Sequence, residues 1–312
     1  MPGYNGAFVV LLSAASNWWL SQRCSGDALS CAASLCAANA ALSLVLSWLT
    51  GDYSWVDRLW SVTPLFYALH FAAACGWASR PTGMAALVGL WGLRLSYNFA
   101  RKAGYQVGEQ DYRWPELQRL MRAFSPRWYP LLWHAFNLCF IAVYQHALLL
   151  LIVLPSAVAA ASRQPLGALD ATAGALLLAF LLLETVADQQ QWRFQQAKHG
   201  RWPRVAALKG AYAQGFLSHG LFAWSRHPNF FAEQAIWWSY YLFAVAALGG
   251  RTQEAWLNYS IVGPLLLSLL FQGSTAFTER ITAAKYPQYA QYQRRVSRLL
   301  PLPPWLFAVH AS

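Results

Sequence analysis

The residues best suited to chemistry lie in the run S-R-H-P-N-F-F-A-E-Q-A-I-W-W, residues 225–238. Pro228 fits the first position of a helix, with His227 as its cap. Asn229, Glu233 and Trp237 then recur at i, i+4 and i+8 and share one helical face. Arg226 stands beside the helix start, and a helix N-terminus flanked by arginine suits an anion. A polar stripe leading from such an end into an apolar helix would suit a cofactor with phosphates at the surface and a reactive ring inside. A second stripe, Glu184, Asp188 and Trp192, has the same spacing. A third, Arg94, Tyr97 and Arg101, is followed by G-E-Q-D-Y-R-W at 108–114, and Asp57 opens another apolar stretch in S-W-V-D-R-L-W. Ionisable groups inside apolar helices are costly and point to function. The three stripes are expected to converge on one buried site. The plainer alternative is an interhelical ion pair, such as Arg94 with one of the carboxylates.

Other chemistries lack their residues. The chain has no G-x-G-x-x-G, Walker loop, G-x-S-x-G or H-E-x-x-H. Its seven histidines include no pair at i, i+3 or i, i+4, so no metal site is expected. The five cysteines, Cys24, Cys31, Cys36, Cys75 and Cys139, form no C-x-x-C pair and read as small packing residues.

The elements that must hold these residues follow from composition. Of 312 residues, 57% are apolar, 16% aromatic and only 11% charged. A soluble domain carries about 25% charged residues. The expected class is therefore all-α, a polytopic transmembrane helical bundle. Apolar stretches lie at 5–20, 29–49, 59–78, 83–100, 131–154, 169–187, 230–248 and 257–275. The first is short, so seven or eight spans are expected. Lysine and arginine cluster in 101–129 (six), 188–227 (six) and 276–312 (five), while the alternate connections hold one each, at Arg23, Arg80, Arg163 and Arg251. The positive-inside rule puts the rich segments in the cytoplasm. The net charge of +11 is thus loop charge, and no nucleic-acid partner is expected. The tail, basic and rich in tyrosine, reads as a helix along the cytoplasmic interface.

With these residues in view, S-R-H-P-N-F-F-A-E followed by W-W resembles the C-terminal signature of the steroid 5-alpha-reductase-like integral membrane family, and the wider chain resembles its large, mostly uncharacterised branch. D-R-L-W at 57–60, W-G-L-R-L-S-Y-N at 91–98, G-E-Q-D-Y-R-W at 108–114, A-D-Q-Q at 187–190 and the tail K-Y-P-Q-Y-A-Q-Y-Q-R-R-V-S-R-L-L-P are similar to its other landmarks. The likeness covers residues 51–303, with 1–50 as N-terminal spans outside it and 304–312 as a tail. It implies a bundle whose C-terminal half, about 180–303, binds NADPH from the cytoplasm, and reduction of a carbon–carbon double bond in a steroid, sterol or fatty enoyl chain entering from the bilayer. By motif position it implies cofactor contacts at Asn229, Glu233, Arg226, Asp188, Lys285, Tyr289 and Tyr292, with Arg94 and Tyr97 on a cofactor- and substrate-facing helix; His227, Trp237, Glu184 and Arg101, which cap or share the same helical faces, are expected to join the cofactor site.

Two departures stand out. F-A-E at 231–233 replaces the frequent F-G-E, a change of one methyl group. The acid that polarises the substrate carbonyl in true steroid reductases has no clear match. Hydride addition would place charge on that oxygen, which needs a donor in a dry site. Tyr97 or a protonated Asp57 is expected to supply it. Two rivals stay open: an S-adenosylmethionine-dependent methyltransferase, since isoprenylcysteine carboxyl methyltransferases share a related R-H-P segment, and a non-catalytic membrane protein. Asn229 and Glu233 favour the reductase form. The compartment would be the endoplasmic reticulum in a eukaryote and the inner membrane in a bacterium.

Overall fold

A computed structural model describes residues 10, 13, 14, 17, 26–106, 108–303, 305 and 306. The apolar stretch 5–20 and the tail 304–312 lie almost wholly outside them. Among the described residues the regular structure is helical, with no strand. In chain order the helices are α1 (Ala28–Thr50), α2 (Trp55–Leu59), α3 (Thr63–Ala74), α4 (Ser79–Ala100), α5 (Arg113–Phe124), α6 (Tyr129–Phe136), α7 (Gln145–Leu151), α8 (Leu154–Ala160), α9 (Ala168–Lys198), α10 (Lys209–Gln214), α11 (Pro228–Ala247), α12 (Gln253–Trp256), α13 (Val262–Lys285) and α14 (Tyr289–Arg295). A π-helical segment, Asn137–Tyr144, joins α6 to α7.

Four helical stretches are long and apolar enough to cross a membrane: Ala28–Thr50, Tyr129–Ala160, Ala168–Lys198 and Gln253–Lys285. They make this an integral membrane protein by length and composition. The count of seven or eight is not reached by that measure, for local reasons. The 12 residues of α3 rise only about 18 Å, short of a hydrocarbon core of about 30 Å. Helix α4 carries Arg80 and Arg94, and α11 carries Asn229, Glu233 and Gln234.

The chain forms two compact units, Met1–Ala173 with Tyr240–Leu266, and Gly174–Ser239 with Leu267–Ser312. In the first, α1 begins where the Asp27 carboxylate accepts from the Leu29 and Ser30 amides, both at 3.0 Å. It ends at Gly51, whose φ of 68° is open to glycine without strain. Its buried face carries Asn39, Ser43 and Ser47, spaced one turn apart. Polar groups in an apolar bundle need internal partners. Ser43 Oγ meets His146 Nε2 at 2.8 Å. Ser47 Oγ accepts from Asn137 Nδ2 at 2.7 Å, at the start of the π segment. Asn39 accepts from the Ser13 hydroxyl and exchanges hydrogen bonds with Asn17. The wider π turn thus carries a polar side chain onto α1, a recurrent use of such insertions.

Two arginines pin the connections of this unit. Arg58, fully buried, donates to Asp52 Oδ2 at 2.7 Å and to the carbonyls of Gly104 and Gln106 at 3.1 and 2.9 Å. Its guanidinium also lies over the Trp55 ring, 4.6 Å from the centroid. Arg80 grips both Asp170 oxygens, at 2.7 and 3.0 Å, and the carbonyls of Gln164 and Pro165. The turn before α3 comes close to α4 at Gly92, where a Cβ would stand 2.5 Å from the Ser61 carbonyl oxygen.

The cysteine expectation needs correcting at one position. Cys31 is disulfide-bonded, whereas Cys36, Cys75 and Cys139 are free. Cys31 lies in the first turn of α1, away from the apolar middle of the helix.

In the second unit, Ala187 and Phe194 of α9 pack with Ala211, Leu217 and Phe222. Lys198 closes α9 onto its surroundings, donating to the Gly215 carbonyl and the Tyr286 hydroxyl, both at 2.7 Å. The interfacial helix expected of the tail is divided. Residues 276–285 continue α13, Pro287 interrupts, and α14 is only seven residues long. Proline lacks the amide that a continuous helix requires. One side of α14 is docked, with Tyr289 buried and the Tyr292 hydroxyl donating to the Phe222 carbonyl.

Breaking a buried ion pair from one side leaves the other charge stranded. The R58Q variant is therefore expected to lose about 3 kcal/mol, read as a lower melting temperature of the detergent-purified protein.

Candidate functional site

The site is built in the second unit on two helices. Glu184 and Asp188 on α9 are buried, as are Glu233 and Trp237 on α11. The two stripes read from the sequence meet: Asn229 Nδ2 donates to Asp188 Oδ1 at 3.2 Å. One turn further along α11, Trp237 Nε1 donates to Glu233 Oε1 at 3.0 Å. Phe180 and Phe231 add an edge-to-face contact at 5.9 Å. The result is a patch rich in carboxylate acceptors, flanked by aromatic rings, within helices that are otherwise apolar. Such a patch can receive hydroxyl and amide N–H groups, and Asn229 can both give and accept.

The start of α11 is as the sequence predicts. Phe231 N donates to the His227 carbonyl at 3.1 Å, which makes His227 the cap and Pro228 the first helical residue. Arg226, however, does not face an open anion site. Its Nε and Nη2 hold the two Glu279 oxygens at 2.6 and 3.0 Å. Its Nη1 donates to the carbonyls of Gln293 and Val296. Four of the five guanidinium N–H groups are thereby engaged within the chain.

Glu279 on α13 is the hub of this end, and sequence reasoning missed it. Besides Arg226 it meets His227 Nε2 at 3.0 Å, and it accepts from the Tyr289 hydroxyl at 3.3 Å and from Gln293 Nε2 at 2.9 Å. His227 also stacks on Phe230 at 5.3 Å. The only signal was a lone acid, T-E-R at 278–280, in an otherwise basic tail. Tyr289 and Tyr292 are tied into this clamp. Burial, then the Glu279 charge, pushes the Tyr289 hydroxyl above its usual range, and burial does the same to Tyr292. Lys285 is exposed, over the Tyr286 ring at 5.4 Å.

The remaining candidates belong to the first unit. Arg94 is half-buried on α4. Arg101 bonds the Asn98 side-chain oxygen at 2.9 and 2.6 Å and lies over the Tyr97 ring. Tyr97, in the last turn of the same helix, is 67% exposed. Asp57 on α2 is half-buried and accepts from Trp114 Nε1 at 3.3 Å. Burial first, then the charge of Asp111, raises its carboxyl to about 6, against the opposing pull of Arg113 and hydrogen bonds from Ser54 and Trp114. Asp111 is itself gripped by Arg113 at 2.8 Å. The landmarks D-R-L-W and G-E-Q-D-Y-R-W are thus one structure: Arg58 binds the 104–109 segment, and Asp57 faces Trp114. Among the described residues no group of three or more histidine, cysteine or acidic side chains could hold a metal.

A helical membrane protein with a buried acidic patch beside an R-H-P-N turn is the class that fold and site define. The chain belongs to the family described as a protein of unknown function, DUF1295, whose model matches residues 43–296. An uncharacterized protein of Schizosaccharomyces pombe is 38% identical over 284 residues, covering 83% of this chain and 79% of that protein. No solved structure matches.

Two outcomes test this geometry. The E279Q variant should loosen the clamp by about 3 kcal/mol, seen as faster amide exchange across 289–299 while α9 stays protected. Asp57 holds its proton more tightly folded than unfolded, since about 6 lies above its ordinary value near 3.8. Its contribution to stability is therefore full below about pH 4 and is lost as pH rises through about 6. Melting profiles of the wild type and D57N should differ in slope across that window and run parallel above it.

Proposed function

We propose that this protein is a membrane-embedded, NADPH-dependent reductase of a carbon–carbon double bond in a lipophilic steroid, sterol or fatty enoyl substrate. The observation that carries this reading is the Asn229–Asp188 bond, which joins two buried polar stripes in the unit that contains S-R-H-P-N-F-F-A-E. That run resembles the cofactor signature of the steroid 5-alpha-reductase-like proteins.

The residues fit one end of the cofactor. Carboxylates at Glu184, Asp188 and Glu233, with the Asn229 amide, suit a carboxamide and ribose hydroxyls. Arg226 is occupied by Glu279, so phosphate binding passes to exposed cations of the same unit, Lys285, Arg294 and Arg295. His227, Tyr289 and Tyr292 then act as positioning residues that hold the tail carrying those cations. The bound cofactor would supply the hydride. The chain supplies orientation through Asn229 and Glu233 and exclusion of water through the buried Trp237. The stretch 59–78 around α3, together with α4 and α11, completes the spans in this reading, to seven or eight. The lysine- and arginine-rich segments, and with them the cofactor end, face the cytoplasm. The disulfide at Cys31 supports that orientation, because this end of α1 is the outer one in that count and disulfides persist on the oxidising side of a membrane.

A ligand that binds only the folded protein stabilises it, by about 2.7 kcal/mol at a hundred times Kd. NADPH is expected to raise the melting temperature of the purified protein, with NADH and S-adenosylmethionine inert. The E233Q variant should keep the ligand-free melting temperature, because glutamine can still accept from Trp237, and lose the NADPH shift. A shift with S-adenosylmethionine alone would replace the reductase by a methyltransferase. No shift with any of them, across detergent and lipid conditions, would leave a non-catalytic protein.

A further inference from the structure

Helix α5 in the first unit meets Asp57 through Trp114 at its start, and the rest of the helix takes no part in the proposed chemistry. One face, Trp114, Leu117 and Met121, packs on Trp133, Tyr129 and Phe136. A second face opens on a groove of about 400 Å³ lined by Pro115, Gln118, Arg119, Arg122, Ala123 and Pro126. These positions recur at three and four residues, so the groove runs along the helix. Its walls are apolar and its polar groups are two guanidinium groups and one amide.

The surroundings say what would fill it. Tyr129 begins a 32-residue stretch apolar enough to span a membrane, so α5 stands just outside a membrane entry point. Between them Phe124 is 87% exposed and Trp128 is 55% exposed, with Leu131 beyond at 62%. Aromatic side chains at this level belong at the boundary between headgroups and acyl chains. Arg119 is held by Glu116 at 2.6 Å, an exposed pair worth little in water. Arg122 and Arg127 have only aromatic partners among the described residues, the Tyr129 ring at 4.6 Å and the Trp128 ring at 5.7 Å. The patch therefore carries an excess of positive charge beside exposed apolar surface.

We propose that this groove binds one anionic phospholipid of the bilayer. Its phosphate lies on Arg122 and Arg119, and its acyl chains lie along Pro115, Ala123 and Phe124. The site belongs wholly to the first unit and is independent of the reductase reading.

Native mass spectrometry of the full chain, equilibrated with phosphatidylglycerol or phosphatidylcholine, tests this. The wild type should retain phosphatidylglycerol preferentially. Each arginine near an anionic surface is worth about fivefold, so R119Q/R122Q should weaken that retention by about 25-fold, while R119K/R122K keeps most of it. Melting temperatures of both variants, compared with the wild type, check that they are folded. Equal retention of the two lipids by the wild type, or a preference that survives in R119Q/R122Q, would overturn the proposal. So would displacement of phosphatidylglycerol by millimolar inorganic phosphate, which would make this a site for a free anion.

Discussion

A charge withdrawn from water must find its opposite, and in this chain that demand fixes the places where helices give way to connections. Arg58 closes on Asp52, Arg80 on Asp170 and Arg226 on Glu279, each largely or wholly buried. Each arginine also donates to backbone carbonyls of a loop or tail. Those carbonyls could not be left bare in an apolar setting. The helices themselves satisfy their own backbones, so a bundle of this kind is underdetermined by helix formation alone. The ion pairs add the missing specificity at the ends, where the hydrophobic effect discriminates little between alternative paths of the chain.

That constraint changes the meaning of the R-H-P-N turn. An arginine beside a helix N-terminus invites an anion, but this one is already committed to Glu279 and the tail. In the proposed cofactor site, recognition therefore falls to the acceptors deeper along α9 and α11. The arrangement separates two tasks by depth: charged groups at the end lock the C-terminal segment, and Asp188, Asn229 and Glu233 present hydrogen-bonding capacity inside. The indole of Trp237, donating to Glu233, orients one of these carboxylates without neutralising it.

The membrane boundary is drawn by more than one element. The basic tail, amphipathic in its pattern, folds partly back on itself through Tyr289 and Tyr292. Helix α5, by contrast, keeps a basic face open and exposes Phe124 beside it. Amphipathic pattern alone does not tell which of two such segments lies against lipid. The difference is whether the polar face already has partners within the protein.

Much was legible in the sequence because it depends on short-range periodicity. The low charge content and the apolar stretches dictated a helical membrane protein, and spacing of four residues placed Asn229, Glu233 and Trp237 on one face and Glu184 and Asp188 on another. His227 and Pro228 marked a helix start because proline's fixed φ and missing amide suit only that place. The tertiary structure decided what those faces meet. Glu279 lies more than fifty residues from Arg226, and nothing local in T-E-R distinguishes a clamp from a solvated acid. The same holds for Asp57 against Trp114 and for Ser43 against His146. Pairing between distant residues depends on how helices pack, which periodicity does not encode. Exposure of Tyr97 and division of the tail at Pro287 were likewise settled by packing, since a helical repeat gives the direction of a side chain but not the neighbour that waits there.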